Sequence, residues 1–242
     1  MRGMSEALVV NEIYASLQGE STFAGLPCIF VRMTACNLRC SYCDTAYAFT
    51  EGKRTELEAV LARVRELAAP YGARRPLVEL TGGEPLLQRA SLTLMHQMCD
   101  EGFTVLVETS GALDISPIDP RVHRIMDLKC PSSGESGRNR YGNIAHLKAT
   151  DEVKFVIGTE EDYLWAKGKV AEFVLAEICP VLFSWVAPLR PEQQDKSLKA
   201  VPEGQHPITR LNLVERIIAD ALPVRFQLQM HKFIWAPEQR GV

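Results

Sequence analysis

The chain has 242 residues, 46% hydrophobic and 24% charged, which suits a soluble α/β fold with one sizeable core or two small ones. A net charge of −3 provides no global basic field, which argues against a nucleic-acid partner. The apolar runs are strand-sized, the start Met1-Arg-Gly-Met-Ser-Glu-Ala-Leu8 lacks an apolar signal core, and a cytoplasmic protein without membrane spans is expected.

In chain order, residues 28–32 (Cys-Ile-Phe-Val-Arg) are β-branched and aromatic and predict a strand leading into a cysteine-rich loop. A helix is predicted to start at Thr55, with Thr55 and Glu58 as a capping box and Leu57, Val60, Leu61, Val64 and Leu67 as its apolar stripe. Strand 77–80 ends in Thr81-Gly82-Gly83-Glu84-Pro85, and a second helix, 87–101, stops at Gly102. Strand 104–108 ends in Thr109-Ser110-Gly111, and strand 124–129 in Cys130-Pro131-Ser132-Ser133-Gly134. Strands 153–157 and 181–183, an amphipathic helix 211–221 and a strand 224–228 complete the series.

This alternation predicts parallel βαβ units. About seven strands fall short of the eight of a closed barrel, so the expected fold is an open, partial β/α barrel forming a single domain over 1–242. Segments 132–146 and 190–206 read as long loops. No role attaches to 135–146, with Arg138, Arg140 and Tyr141, beyond that of a hypothetical mobile lid. In α/β folds the carboxyl ends of strands carry the site. The polar clusters at 81–84, 109–111 and 129–132 each follow a strand directly, so they are expected to share one rim with the cysteine loop.

Three of the seven cysteines, Cys36, Cys40 and Cys43, lie within Arg32-Met-Thr-Ala-Cys-Asn-Leu-Arg-Cys-Ser-Tyr-Cys-Asp-Thr45. This C-x3-C-x2-C spacing suits three irons of a [4Fe–4S] cluster, leaving one iron open for chemistry. A zinc knuckle would need a fourth Cys or His nearby, and the closest histidine in sequence is His96. Cys28, Cys99 and Cys179 fall in strand or helix patterns and read as buried small hydrophobes, whereas Cys130 follows a strand and is expected to line the site.

The triplet, with Tyr42 before its last cysteine, resembles the radical S-adenosylmethionine enzymes. Asn11-Glu-Ile-Tyr-Ala-Ser-Leu-Gln-Gly-Glu20, Gly25-Leu-Pro27, Phe30-Val-Arg32, Cys36-Asn-Leu38 and Cys43-Asp-Thr45 resemble the 7-carboxy-7-deazaguanine synthases more closely. So do Thr81-Gly-Gly-Glu-Pro85, Glu108-Thr-Ser-Gly111, Gln229-Met-His-Lys-Phe-Ile-Trp235 and Arg240-Gly-Val242, so the likeness runs nearly the whole length. The resemblance implies S-adenosylmethionine chelated to the open iron and a 5′-deoxyadenosyl radical that takes hydrogen from C6 of 6-carboxy-5,6,7,8-tetrahydropterin. It also implies ring contraction with loss of ammonia in a queuosine or deazapurine pathway. Magnesium, a homodimer and an external, flavodoxin-like electron donor are implied with it.

Residue by residue, the likeness assigns Cys36, Cys40 and Cys43 to the cluster and Thr45 to magnesium. Tyr42, Cys43 and Asp44 would lie against adenine, with Gly83, Glu84, Ser110, Asp127, Leu128 and Lys129 also around the cofactor. Leu17, Gln18, Gly19, Glu20, Arg32, Thr81, His231 and the Val242 carboxylate would meet substrate. Taken alone these residues have plainer readings: an ordinary turn at Gly19, a surface ion pair at Arg32, a turn hydroxyl at Thr45, a rim ion pair between Asp127 and Lys129. Arg32 suits a carboxylate through paired hydrogen bonds, and a hard cation at Thr45 would use its hydroxyl with substrate oxygens and water. Ser184 and Trp185 are the cofactor candidates where Ser-Trp-Val stands in place of the expected Ser-Pro-Val. Two rivals are a glycyl-radical-enzyme activase and a non-enzymatic zinc or electron-transfer module.

Overall fold

A computed structural model describes residues 6–236 and 239–242. Its strands are β1 (Ala7–Leu17), β2 (Pro27–Met33), β3 (Lys53–Glu56), β4 (Leu77–Gly82), β5 (Val105–Thr109), β6 (His123–Asp127), β7 (Glu152–Ile157), β8 (Val181–Trp185) and β9 (Arg225–Gln227). The helices are α1 (Leu57–Ala68), α2 (Ala90–Asp100), α3 (Glu160–Glu172), α4 (Leu175–Ile178), α5 (Arg210–Ala219) and α6 (His231–Ile234). All nine strands form one sheet in the order β3-β1-β2-β4-β5-β6-β7-β8-β9. From β2 through β9 every pairing is parallel, while β1 runs antiparallel to both β2 and β3. This open mixed sheet with helices is the expected partial barrel.

Side-chain alternation divides the sheet into two faces. Ile29, Val31, Val78, Leu80, Val105, Val107, Val153, Phe155 and Phe183 are buried in the large core shared with the helices. On α1 the stripe Leu57, Val60, Leu61 and Val64 is buried as expected, with Ala68 completing it. The opposite face begins with a small apolar floor of Cys28, Phe30, Leu77, Leu106 and Ile125. Nearer the carboxyl ends that face carries Arg32, Thr81, Glu108, Asp127 and Lys154, which line a common cavity. The register brings neighbours together: Arg32 pairs with Thr81 and Asp127 with Lys154.

Several local expectations change. Thr55 is a strand residue whose hydroxyl donates to the Lys53 carbonyl at 3.2 Å. Glu56 takes the cap position of α1, and its side chain makes no capping hydrogen bond there. Pairing of residues 53–56 with 7–10 of β1 outweighs the local capping signal. Strands β1 and β3 and helix α3 have no counterpart in the sequence reading. Cys28 and Cys179 are buried, as read, and Cys99 is half-buried. Cys130 packs in the helix-side core and does not line the cavity, because β6 has ended and the chain turns inward there.

The stretch 132–146, read as a long loop, carries local structure of its own. It holds short 3-10 turns at Ser136–Arg138 and Tyr141–His146. Asn139 exchanges hydrogen bonds with the Lys129 backbone at 2.8 and 2.9 Å, and Asn143 donates to the Gly111 and Leu113 carbonyls at 3.1 and 2.7 Å. No helix among the described residues is long and apolar enough to cross a membrane.

Candidate active site

A cavity of about 520 Å³ opens at the carboxyl ends of the parallel strands. The loop that follows β2 forms one wall. Ala35 sits at φ 74°, and its carbonyl accepts from the Glu84 N–H at 2.8 Å while Gly83 N–H donates to the Met33 carbonyl at 3.1 Å. A Cβ on Gly83 would lie 1.9 Å from the Ala35 oxygen, so only glycine lets the β4 end back the cysteine loop so closely.

Cys36, Cys40 and Cys43 all line this cavity. Burial pushes the Cys40 thiol up to about 11 and raises Cys36 and Cys43 as well. Thiols in such surroundings ionise only against a strong positive charge, which bound iron supplies. Among the described residues no group of three His, Cys, Asp or Glu side chains converges to hold a single ion. Thiolates of a cluster each take a different iron, and three free cysteines open on this one cavity. Thr45 also lines the cavity, its hydroxyl 3.8 Å from the Cys43 sulfur.

Beside the loop lies the wall expected to take the cofactor. Tyr42, Asp44, Gly83, Ser110, Asp127 and Lys129 line it. The Tyr42 hydroxyl and Asp127 Oδ1 are buried without a hydrogen-bond partner among the described residues, so polar capacity remains for a bound molecule. Asp127 Oδ2 holds the Lys129 ammonium at 2.6 Å. Burial works against that charge, but Asp127 and Cys40 hold the lysine above its ordinary pKa. Burial alone would raise the Asp44 carboxyl; Lys232 at 2.6 Å, with His231 and Arg32 behind it, brings it down to about 2.

The remaining expected residues form the floor and mouth. Leu17, Gln18, Gly19, Glu20, Arg32, Thr81, His231 and Val242 all reach the cavity. Arg32 donates from Nε to Glu12 and from Nη2 to the Tyr14 hydroxyl, both at 2.6 Å, so its plane is fixed before any ligand arrives. A Cβ on Gly19 would meet His231 Nδ1 at 2.7 Å, which makes Gly19 the point where the chain end docks. The tail is held by Arg240, bonded to Glu51 at 2.6 Å and stacked 3.9 Å from the Tyr47 ring.

The structure does not bring Glu84, Leu128, Ser184 or Trp185 to this wall. Glu84 is fully buried and its carboxylate is occupied, accepting from Ser110 N–H at 2.8 Å, Thr109 Oγ1 at 2.9 Å and Leu86 N–H at 3.0 Å. Leu128 and Ser184 are buried at 1% exposure, Leu128 in the helix-side core. Trp185 donates to the Ile208 carbonyl at 2.9 Å, and Val186 reaches the cavity instead.

Three charged residues of the floor were missed. Lys154 ion-pairs with Glu108, with Glu20 at 3.2 Å and with Asp127 at 3.9 Å. Burial opposes its charge, but Asp127, Glu108 and Glu20 raise its pKa well above the usual lysine value. Glu108 is held low by Lys154 and by the Thr81 hydroxyl at 3.0 Å, against burial. Burial and the neighbouring Glu108 charge push Glu79 well up, and Gln18 Nε2 donates to it. Each stands as a lone charge in an apolar strand, such as Val153-Lys-Phe-Val-Ile157. That pattern is itself a signal, because unpaired charges are rarely buried.

Comparison with known proteins agrees with this geometry. The radical SAM superfamily model matches residues 30–130. A 7-carboxy-7-deazaguanine synthase of Koribacter versatilis is 42% identical over 236 residues, covering 96% of this chain and 99% of that protein. The Chlorobaculum tepidum protein of the same name is 41% identical, covering 97% of each. The crystal structure of QueE from Escherichia coli shares the fold, with a TM-score of 0.68 at 22% identity over 93% of this chain and 95% of that one. Neither a glycyl-radical-enzyme activase nor a zinc module is favoured by these likenesses. With full-length identity above 40% and the family's segments gathered around one cavity, the chain belongs to the 7-carboxy-7-deazaguanine synthases, radical SAM enzymes of deazapurine biosynthesis.

Proposed function

We propose that this chain is a lyase that converts 6-carboxy-5,6,7,8-tetrahydropterin to 7-carboxy-7-deazaguanine with loss of ammonia. The observation that carries the reading is the meeting of Gln18-Gly19-Glu20, Arg32, Thr81, His231 and Val242 with the cysteine loop in one cavity. Cys36, Cys40 and Cys43 would hold the cluster, and Tyr42, Asp44, Gly83, Ser110, Asp127 and Lys129 the S-adenosylmethionine. When bound, that pair supplies a 5′-deoxyadenosyl radical to take the C6 hydrogen.

The chain's own residues bind and orient. Arg32, with Nε and Nη2 already engaged, offers Nη1 to the substrate carboxylate. Glu20, bonded by Gln229 at 3.1 Å, and Gln18 face the amino and amide edge of the pterin. Burial, with the Glu108 charge beside it, raises the Glu79 carboxyl well above its ordinary range at the floor. His231 and the chain end close the mouth and exclude water. Thr45 supports magnesium at the substrate oxygens. The whole of 1–242 works as one cytoplasmic domain, as a homodimer, with a flavodoxin-like donor as reductant.

Anaerobic turnover with reductant, S-adenosylmethionine, magnesium and the carboxy-tetrahydropterin tests this. The expected product is the carboxy-deazaguanine, identified by mass. Its absence from a chain with a full cluster would sink the assignment. Thr45→Ala should weaken the magnesium response, and an unchanged titration removes Thr45 from the site.

A further inference from the structure

Two long segments, 132–146 after β6 and 190–206 after β8, supply no cysteine to the triplet, yet both close on the loop that carries it. Ser41 N–H donates to the Ser133 carbonyl at 3.1 Å and its hydroxyl to the Ser132 carbonyl at 2.7 Å. Lys199 N–H donates to the Arg39 carbonyl at 2.9 Å. Where the two segments meet, Glu135 of the first is only 6% exposed. Its Oε1 accepts the Arg39 N–H at 2.7 Å, and its Oε2 pairs with the Lys199 ammonium at 2.9 Å.

The carboxylate is itself built in. Glu135 N–H donates to Ser133 Oγ at 3.0 Å, and Ser133 Oγ donates to the Cys130 carbonyl. Ser132 N–H donates to Asp162 at the start of α3 at 2.8 Å. Gly134 adopts φ 70°, and a Cβ there would meet Lys199 Cδ at 2.9 Å. A continuous run of bonds therefore leads from α3 to the peptide between Leu38 and Arg39, one residue before Cys40. Arg39 adds its own brace, donating to the Cys36 and Leu38 carbonyls at 2.8 and 2.6 Å.

We propose that Glu135 is a positioning residue for the cysteine loop, holding the Arg39 amide so that Cys36, Cys40 and Cys43 are set for iron. This rests on the reading of those cysteines as cluster ligands. Glu135 touches neither iron nor substrate; it acts through the backbone that joins two ligands, as groups behind metal ligands do. The Lys199 ammonium at 2.9 Å lowers the Glu135 carboxyl against the effect of burial. Residues 132–135 thus brace the cluster loop.

The test compares wild type with Glu135→Ala, Glu135→Gln and Lys199→Met after anaerobic reconstitution. The readouts are iron per chain, loss of visible absorbance to a chelator, and the spectrum of the reduced cluster. Glu135→Ala should release iron about tenfold faster than wild type, the usual effect of losing a group behind a metal ligand. Glutamine still accepts the Arg39 N–H, so Glu135→Gln should stay within about threefold of wild type, as should Lys199→Met. Wild-type release in Glu135→Ala, or equal impairment in the alanine and glutamine variants, would overturn the proposal. A merely structural role would lower melting temperatures without this rescue by glutamine. Hydrogen exchange at the Arg39 amide of the cluster-free wild type needs no variant: protection is expected, and exchange at the rate of an open loop overturns the proposal. A wild-type chain that takes up no iron would refute the cluster reading and leave the amide measurement to decide Glu135.

Discussion

Lys154 is buried under Glu108, Glu20 and Asp127, and this one ammonium organises the floor. Burial and the neighbouring Glu108 charge make Glu79, which accepts from Gln18, retain its proton to higher pH. A carboxyl whose folded pKa is raised binds more protons folded than unfolded. Stability therefore falls as pH rises from its unfolded value near 4.5 through the folded one. Glu79→Gln should flatten this fall, measured by denaturant titration of the cluster-free chain between about pH 5 and 8. An unchanged slope would mean Glu79 is ionised. Cys40→Ala should lose both the iron chromophore and turnover; retained activity would refute its place as a ligand. At this scale the cysteine triplet was legible because its three members lie close together in sequence. Glu79, Glu108 and Lys154 were not, because their partners lie on other strands.

Among the elements, α3 shows how a local motif takes on a longer-range task. Thr159 caps it and accepts from Asp162 N–H at 3.1 Å in a complete capping box. Asp162 also accepts from Gly158 N–H at 2.9 Å and from Ser132 N–H at 2.8 Å. Asp162→Ala leaves these buried donors short of an acceptor and should lower stability by about 3 kcal/mol, read as a shifted denaturation midpoint at constant slope. Gly83→Ala places a Cβ 1.9 Å from the Ala35 carbonyl oxygen. Backbone there has little room to give, so a loss of about 3 kcal/mol or failure to fold is expected; a melting temperature near wild type would show that the loop yields. The helix stripes and central strands were readable from periodicity. Strand β3 was not, since its four residues pair with the distant β1, and pairing overrode the capping signal at Thr55.

For the whole molecule, the first and last segments meet. Met230 N–H donates to the Gly19 carbonyl at 2.9 Å, and Gln239 to Val242 lie on the cavity wall. Removing 239–242 should leave the circular dichroism spectrum intact. It should raise the KM for substrate about tenfold, the worth of one charge-assisted hydrogen bond of about 1.5 kcal/mol; an unchanged KM removes the tail from the site. The sequence by itself determined the cysteine triplet, the succession of the central strands along the chain and the family, since each rests on short contiguous patterns or on likeness along the chain. Only the tertiary structure decided the charged floor, the departure of Glu84, Leu128, Ser184 and Trp185 from the cavity wall, and the contacts of Glu135 with Arg39 and Lys199. These depend on which strands become neighbours and in what register, and a parallel sheet joins residues that no local pattern connects.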